Sequence, residues 1–237
     1  MVAGAVDKIV TSWMGIGLPW GLSKIHREYV ESGRVPMEEW SHLALGLRFR
    51  AAAMGVSFLP SLTMMGSSLV DVGGSKIIDC PYTGEKLLAV PALFPDVALL
   101  HVHRADRFGN CQIDGYPHMD ADIARAAATV LVTTEELMTD DETRRHPDRT
   151  VIPGFLVDAL VHVPFGAFPH ECYGLYEADF DHFGDYTSSI DARGPEAAVA
   201  DYLARYVYAP SAWDDYLDLF GGERLAKQQK QARELTQ

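Results

Sequence analysis

His101 and His103 stand two residues apart in the apolar run Asp96–His103, and Asp106 follows closely. On a β-strand that spacing sends both imidazoles to one face. Metal-dependent hydrolases begin a ligand set in this way and complete it from later strands. Nine histidines in 237 residues make close pairs common by chance, and no later His follows a metal-ligand spacing. Packing or hydrogen bonding beside a sheet accounts for the pair equally well, and no metal is expected.

Other chemistries leave weaker traces. There is no G-x-S-x-G nucleophile elbow, and Gly66-Ser67-Ser68 reads as a turn. The phosphate-binding patterns G-x-G-x-x-G and G-x-x-x-x-G-K-[ST] are absent, with Gly15-Ile16-Gly17 supplying half of the first. Glu38–Glu39 reads as a solvated strand edge rather than an acid/base couple. Cys80, Cys111 and Cys172 are odd in number and widely spaced. They suit a reducing cytosol better than a disulfide framework or zinc knuckle, and Cys111 reads as structural.

The elements that must position any site follow from punctuation and period. Lys8–Trp13 reads as a strand ending at Gly15 and Gly17, and Leu22–Ser32 as a helix stopped by Gly33. Met37–Trp40 is a short strand. Ser41 is placed to cap a helix running to Met54, with Leu43, Leu47 and Met54 on one face and Gly55 at its end. Pro60–Gly84 reads as long connections with a small hairpin, strand-like only at Lys76–Cys80. Asp96–His103 is a buried strand that breaks at Arg104–Asn110. A helix over Asp120–Ala128 and strands at Val130–Thr134 and Leu156–Val163 follow. Pro164–Arg193 is aromatic and acidic without clear period, an ordered excursion. Helices are expected at Glu196–Tyr208 and Ala212–Phe220, with a polar helical tail over 223–237.

Continuous apolar strands alternating with helices predict an α/β fold: a three-layer αβα arrangement around a mostly parallel open sheet, in one domain over residues 1–237. Ligands of such sheets gather at the carboxyl ends of strands. Four places qualify: Ser12–Gly17, Trp40–His42, Thr63–Ser68 and Arg104–Asn110.

The chain is 48% apolar and 22% charged, which suits a globular protein needing no disulfides. Its net charge of -13 argues against nucleic acid or an anionic membrane as partner, but not against an anionic ligand held by local amides and a few cations. The first twenty residues lack the basic start and apolar run of a signal peptide, and no stretch has the length of a membrane span. A cytoplasmic location is the expectation.

At these same loops the sequence is similar to the A-type chains of class I coenzyme A-transferases, the 3-oxoacid and glutaconate type. The resemblance runs from Val6 to about Gly221. It is carried by KIVTSWMG at Lys8–Gly15, the EEW-S-x-x-L-x-x-R-x-R-A-A-A-x-G-V-x-F-L-P run at Glu38–Pro60, and M-G-S-S-L at Met65–Leu69. The most specific stretches are AVPALFPDVALLHVHRADRFGNCQI at Ala89–Ile113 and RTVIPGFLVDALVHVPFGAFP at Arg149–Pro169. The resemblance implies one half of a heterodimer or higher A/B assembly that moves CoA between an acyl-CoA and a carboxylic acid. It implies a nucleophilic Glu on the partner B-type subunit, with no bound cofactor and with coenzyme A as substrate. No segment here has the Ser-Glu-Asn-Gly type motif of that nucleophile, so no catalytic residue is assigned to this chain. The family's first two β-α units, with a Gly-Gly-Phe type loop, are expected to be missing.

Carried onto matching positions, the resemblance selects Ser12, Gly15, Trp40, Ser41, Gly66, Ser67, Arg104, Asp106 and Asn110 as residues of the CoA and substrate cleft. Arg104 is the local cation for a carboxylate or phosphate. Alternatives are a subunit of an acyl-CoA ester hydrolase or ring-cleaving hydrolase of the same fold, a non-catalytic stabilising partner and, last, the His-x-His metal hydrolase.

Overall fold

The computed structural model describes residues 1–17, 19–71 and 73–236. They divide into two compact units, Met1–Glu38 with Ala167–Gln237, and Glu39–Gly166.

The first unit opens with β1 (Ile9–Thr11), which forms a two-stranded sheet with β2 (Met37–Glu39). Between them α1 (Lys24–His26) widens into a π-helical turn over Arg27–Glu31. Gly33, at φ +78, ends that segment as its position predicts.

The second unit begins with α2 (His42–Ala53). Ser41 caps it as expected, its Oγ accepting from Ala44 N at 3.1 Å. Next come β3 (Phe58–Ser61), β4 (Lys76–Asp79) and β5 (Lys86–Pro91), an antiparallel sheet in the order β3-β5-β4. The hairpin expected between Pro60 and Gly84 is β4–β5, whereas Pro60 itself lies in β3, an edge strand where a missing N–H is tolerated.

The main sheet takes β6 (Val97–Asp106), β7 (Cys111–Gln112), β8 (Thr129–Met138), β9 (Thr150–Ile152) and β10 (Ala159–His162), in the order β10-β8-β6-β7-β9. β10, β8 and β6 are parallel, while β7 runs antiparallel to both neighbours. The sheet is therefore mixed. The strand break predicted at Arg104 falls three residues later, because the chain reverses at residues 107–110 and Arg104 and Asp106 stay in the β6 ladder.

One face of this sheet makes the core. Ala98, Leu100, Val102, Val130, Val132 and Ile152 are buried together with Ala124 of α3 (Asp120–Ala126). Each large aliphatic side chain there contributes about 1.5–3 kcal/mol on burial. The other face carries Val97, Leu99, Leu131 and Val161, with Leu99 76% and Val161 55% exposed. Cross-strand register joins Leu99 to Leu131 and Val161 to Thr133, so these side chains share one surface.

The buried stripe of α2 differs from expectation. Leu43 and Met54 are each 61% exposed, and Ala44, Leu45, Arg48, Ala51 and Ala52 face inward. α2 packs on α3, β3 and β5. The small alanines permit close approach, and the aromatic ring of Trp40 receives Arg48. Beyond β8, α4 (Asp140–Arg145) starts in a capping box between Thr139 and Glu142.

The first unit resumes with α5 (Phe180–Arg193), α6 (Pro195–Leu203) and a π-helical turn at Ala204–Tyr208, then α7 (Trp213–Asp218) and α8 (Gly222–Leu235). The latter half of the predicted irregular excursion is thus a helix. Asp179 caps it through His182 N, and Ile190 packs with Ile25 and Ala198. The predicted helical tail is α8, although Gln237 lies outside the described residues. Among the described residues no helix is long and apolar enough to cross a membrane.

Candidate functional site

Ser12 and Gly15 belong to the first unit, and the other seven predicted cleft residues to the second. Ser12 follows β1 and is partly buried. Gly15 precedes a turn in which Ile16 N donates to Gly21 O. A Cβ on Gly15 would sit 2.9 Å from the Trp13 ring and 3.2 Å from Gly21 O, so the turn requires its absence.

In the second unit, hydroxyls converge at the start of α2. Ser41 Oγ lies 2.7 Å from Thr63 Oγ1 while also capping Ala44 N. Thr63 N donates to Ser61 Oγ at 3.1 Å. The Thr63–Ser68 loop reaches this position through left-handed backbone at Met64 (φ +67) and Gly66 (φ +84). Ser67 is used within the loop, its Oγ donating to Met64 O at 2.8 Å. A polar pair at a helix N-terminus suits an oxygen that carries or develops negative charge. Trp40 lies beneath it rather than open to solvent, with the Arg48 guanidinium 4.4 Å from its ring centroid and Arg48 Nε donating to Pro91 O.

Arg104, Asp106 and Asn110 surround the β6–β7 reversal. The buried Asp106 carboxylate accepts from Phe108 N, Asn110 N and Asn110 Nδ2, each within 2.9 Å. Burial pushes its carboxyl up, but the hydrogen bonds from Asn110, Thr143 and Phe108 outweigh this and hold it below the ordinary carboxylate range. Asn110 Oδ1 then accepts from Gly154 N at 2.9 Å, tying the turn to the segment entering β10. Arg104 pairs with Asp114. These groups build and brace the turn.

The His-x-His pair separates by partner. His103 Nδ1 accepts from Asp114 N at 3.2 Å. His101 meets Thr133 Oγ1 through Nδ1 at 2.8 Å and Glu135 Oε1 through Nε2 at 2.7 Å. Glu135 also accepts from Phe165 N at 2.6 Å and Gly166 N at 2.9 Å. Sequence reasoning passes over Glu135. The signal available is an acidic pair, Glu135–Glu136, ending an apolar strand; its partner lies 34 residues away in sequence.

The carboxylate pair Glu38–Glu39 resolves in part, since Glu38 is bound by Lys8 at 2.6 Å. Burial, aided by the charge of Asp106, pushes the Cys111 thiol up to about 12, and its Sγ donates to Gly109 O. Hydrogen bonds from Thr83 and from nearby backbone lower that of the more open Cys80. Iodoacetamide at neutral pH, followed by peptide mass spectrometry, should therefore modify Cys80 at least about tenfold faster than Cys111. Equal labelling of the two would contradict these environments.

The profile of the Coenzyme A transferase family matches residues 1–163. The chain belongs to that family. It is 40% identical over 238 residues to an uncharacterized protein of Archaeoglobus fulgidus, an alignment covering 100% of this chain and 53% of the relative. It is 35% identical over 227 residues to the A-type chain of glutaconate CoA-transferase from Acidaminococcus fermentans, covering 86% of this chain and 68% of that one. The crystal structure of glutaconate coenzyme A-transferase from the same organism matches with a TM-score of 0.89 at 32% identity, over 96% of this chain and 76% of that one. The chain thus spans about half of the first relative and about two thirds of the second. The α/β class and the family expected from the sequence are both established.

Proposed function

We propose that this chain acts as the A-type half of a heteromeric CoA-transferase, with the nucleophilic Glu on a partner B-type subunit. The observation that carries the reading is the 35% identity to the A-type chain of such an enzyme. The exposed row Leu99, Leu131 and Val161 adds support, since contiguous apolar sheet surface favours a covering partner.

In the proposed cycle the partner's Glu carboxylate attacks the acyl-CoA carbonyl, forming a mixed anhydride and releasing CoA thiolate. The thiolate attacks the glutamyl carbonyl, forming a glutamyl-CoA thioester and releasing the first acid as its carboxylate. The second acid reverses both steps and leaves as its CoA ester. Dividing one difficult exchange into two requires that water be kept from the anhydride. This chain's contribution is one wall of the cleft. Ser41 and Thr63 at the head of α2 are suited to orient a substrate oxygen, while Asp106 and Asn110 keep the β6–β7 turn, with Arg104, in place.

The test is a thioester-exchange assay with a panel of acyl-CoAs and carboxylic acids. The purified chain alone should transfer no CoA, and addition of a B-type subunit should start transfer. Full transfer by the isolated chain would refute the proposal, as would loss of thioester to water with no acid acquiring CoA.

A further inference from the structure

A second histidine pair lies away from the His-x-His strand. His42, the first residue of α2, and His118, just before α3, direct their Nε2 atoms at each other across 2.5 Å, with ring centroids 4.4 Å apart. Both side chains are exposed, so solvation does not force the rings together. His118 holds φ +52, a left-handed backbone uncommon in non-glycine residues and often retained where a side chain must be aimed. The pair stands in an open hollow of about 250 Å³ that Leu47, Arg50, Tyr116 and Asp122 also line.

The charges around it are suited to a cation. Arg50, the nearby guanidinium, is neutralised by Asp122 at 3.0 Å. Asp120, at the start of α3, interacts electrostatically with His118. Tyr116 sets its ring edge-on to His118 at 5.4 Å, limiting how far that imidazole can swing.

Two imidazoles in this arrangement have two ways to satisfy facing Nε2 atoms: one shared proton, or one shared cation. A separation of 2.5 Å is below the ordinary ~2.7–3.2 Å of a hydrogen bond from N–H. An ion with M–N distances of about 2.0–2.1 Å in tetrahedral geometry holds its nitrogens about 3.4 Å apart. Exposed rings reach that spacing by parting less than about 1 Å. We infer that His42 and His118 form a two-histidine site for a divalent ion of the zinc, nickel and copper class. Its remaining positions are open to water or to a donor atom of a bound molecule. The ion would clasp the start of α2 to the segment leading into α3.

Zn²⁺ titrated calorimetrically into the whole chain tests this, with His42→Ala, His118→Ala and a control, His146→Ala, at an exposed imidazole after α4. The wild type and the His146 variant should bind the same number of ions. The His42 and His118 variants should each bind one ion fewer per chain, with circular dichroism unchanged. Affinity should weaken as pH falls, because protons compete for the imidazole lone pairs. Unchanged stoichiometry in both variants overturns the site, as does a wild type that takes up no ion saturably, which would leave the shared proton as the explanation. Should a variant fail to fold, ¹⁵N imidazole spectra of the wild type decide. Zn²⁺ must perturb the Nε2 resonances of two histidines together, and perturbation of neither overturns the site.

Discussion

Glu135→Ala should lower the stability of the chain by about 3–5 kcal/mol, the range for removing one partner from a buried charged network. The carboxylate is 5% exposed and accepts from Phe165 N, Gly166 N and His101 Nε2. Its deletion would strand two backbone N–H groups and an imidazole N–H away from water, at about 1–3 kcal/mol each unless solvent enters. Glu135→Gln keeps the shape and one acceptor oxygen, so about half of the loss should return. The measurement is urea unfolding followed by circular dichroism, with limited proteolysis between Val163 and Gly166 as a local readout. A loss under about 1 kcal/mol for the alanine variant would mean that solvent reaches this network.

The second large effect is expected from a single methyl group. A Cβ on Gly154 would lie 2.1 Å from Phe108 O and 2.9 Å from Phe108 C, atoms of backbone in the turn that Asp106 closes. Gly154 N is also the donor to Asn110 Oδ1. Gly154→Ala must therefore displace either the β6–β7 reversal or the segment entering β10, at about 3 kcal/mol or more. Gly184 provides the opposite sign. It lies inside α5, and a Cβ there meets nothing within 4 Å. Gly184→Ala should stabilise by about 0.5–1 kcal/mol through a less flexible unfolded chain. Thermal unfolding of the two variants should move in opposite directions. A Gly154 variant melting with the wild type would show the turn to be more yielding than its packing indicates.

The features behind these effects differ in how legible they are in the sequence. Ser41 reads as a helix cap because its hydroxyl acts on Ala44, three residues away, and local chemistry survives in local sequence. The strands β6 and β8 are visible as apolar runs. Their full lengths are not, since Arg104, Asp106 and Glu135 interrupt the pattern without ending the ladder. α5 escapes sequence reading because Gly184, Thr187, Ser188 and Ser189 dilute its period, and packing of Ile190 with Ile25 and Ala198 supplies what propensity does not. The inward face of α2 is concealed because its large apolar residues are not its core, which alanines and an arginine over Trp40 occupy instead. The candidate site divides in the same way. Its loops can be found from strand ends, but the pairings Ser41–Thr63, Asn110–Gly154 and His101–Glu135 join residues 22–44 apart and become visible only in three dimensions.

With the covalent chemistry placed on another chain, trapping the intermediate is the most direct test. Incubated with acyl-CoA, a co-expressed complex of this chain and a B-type partner should form a glutamyl-CoA thioester that borohydride reduces to a stable alcohol. Peptide mass spectrometry then locates the reduced residue. The expected position is a Glu of the B-type partner, with every Glu of this chain unmodified. A reduced Glu in this chain, at Glu39 or Glu135 for instance, would contradict the assignment.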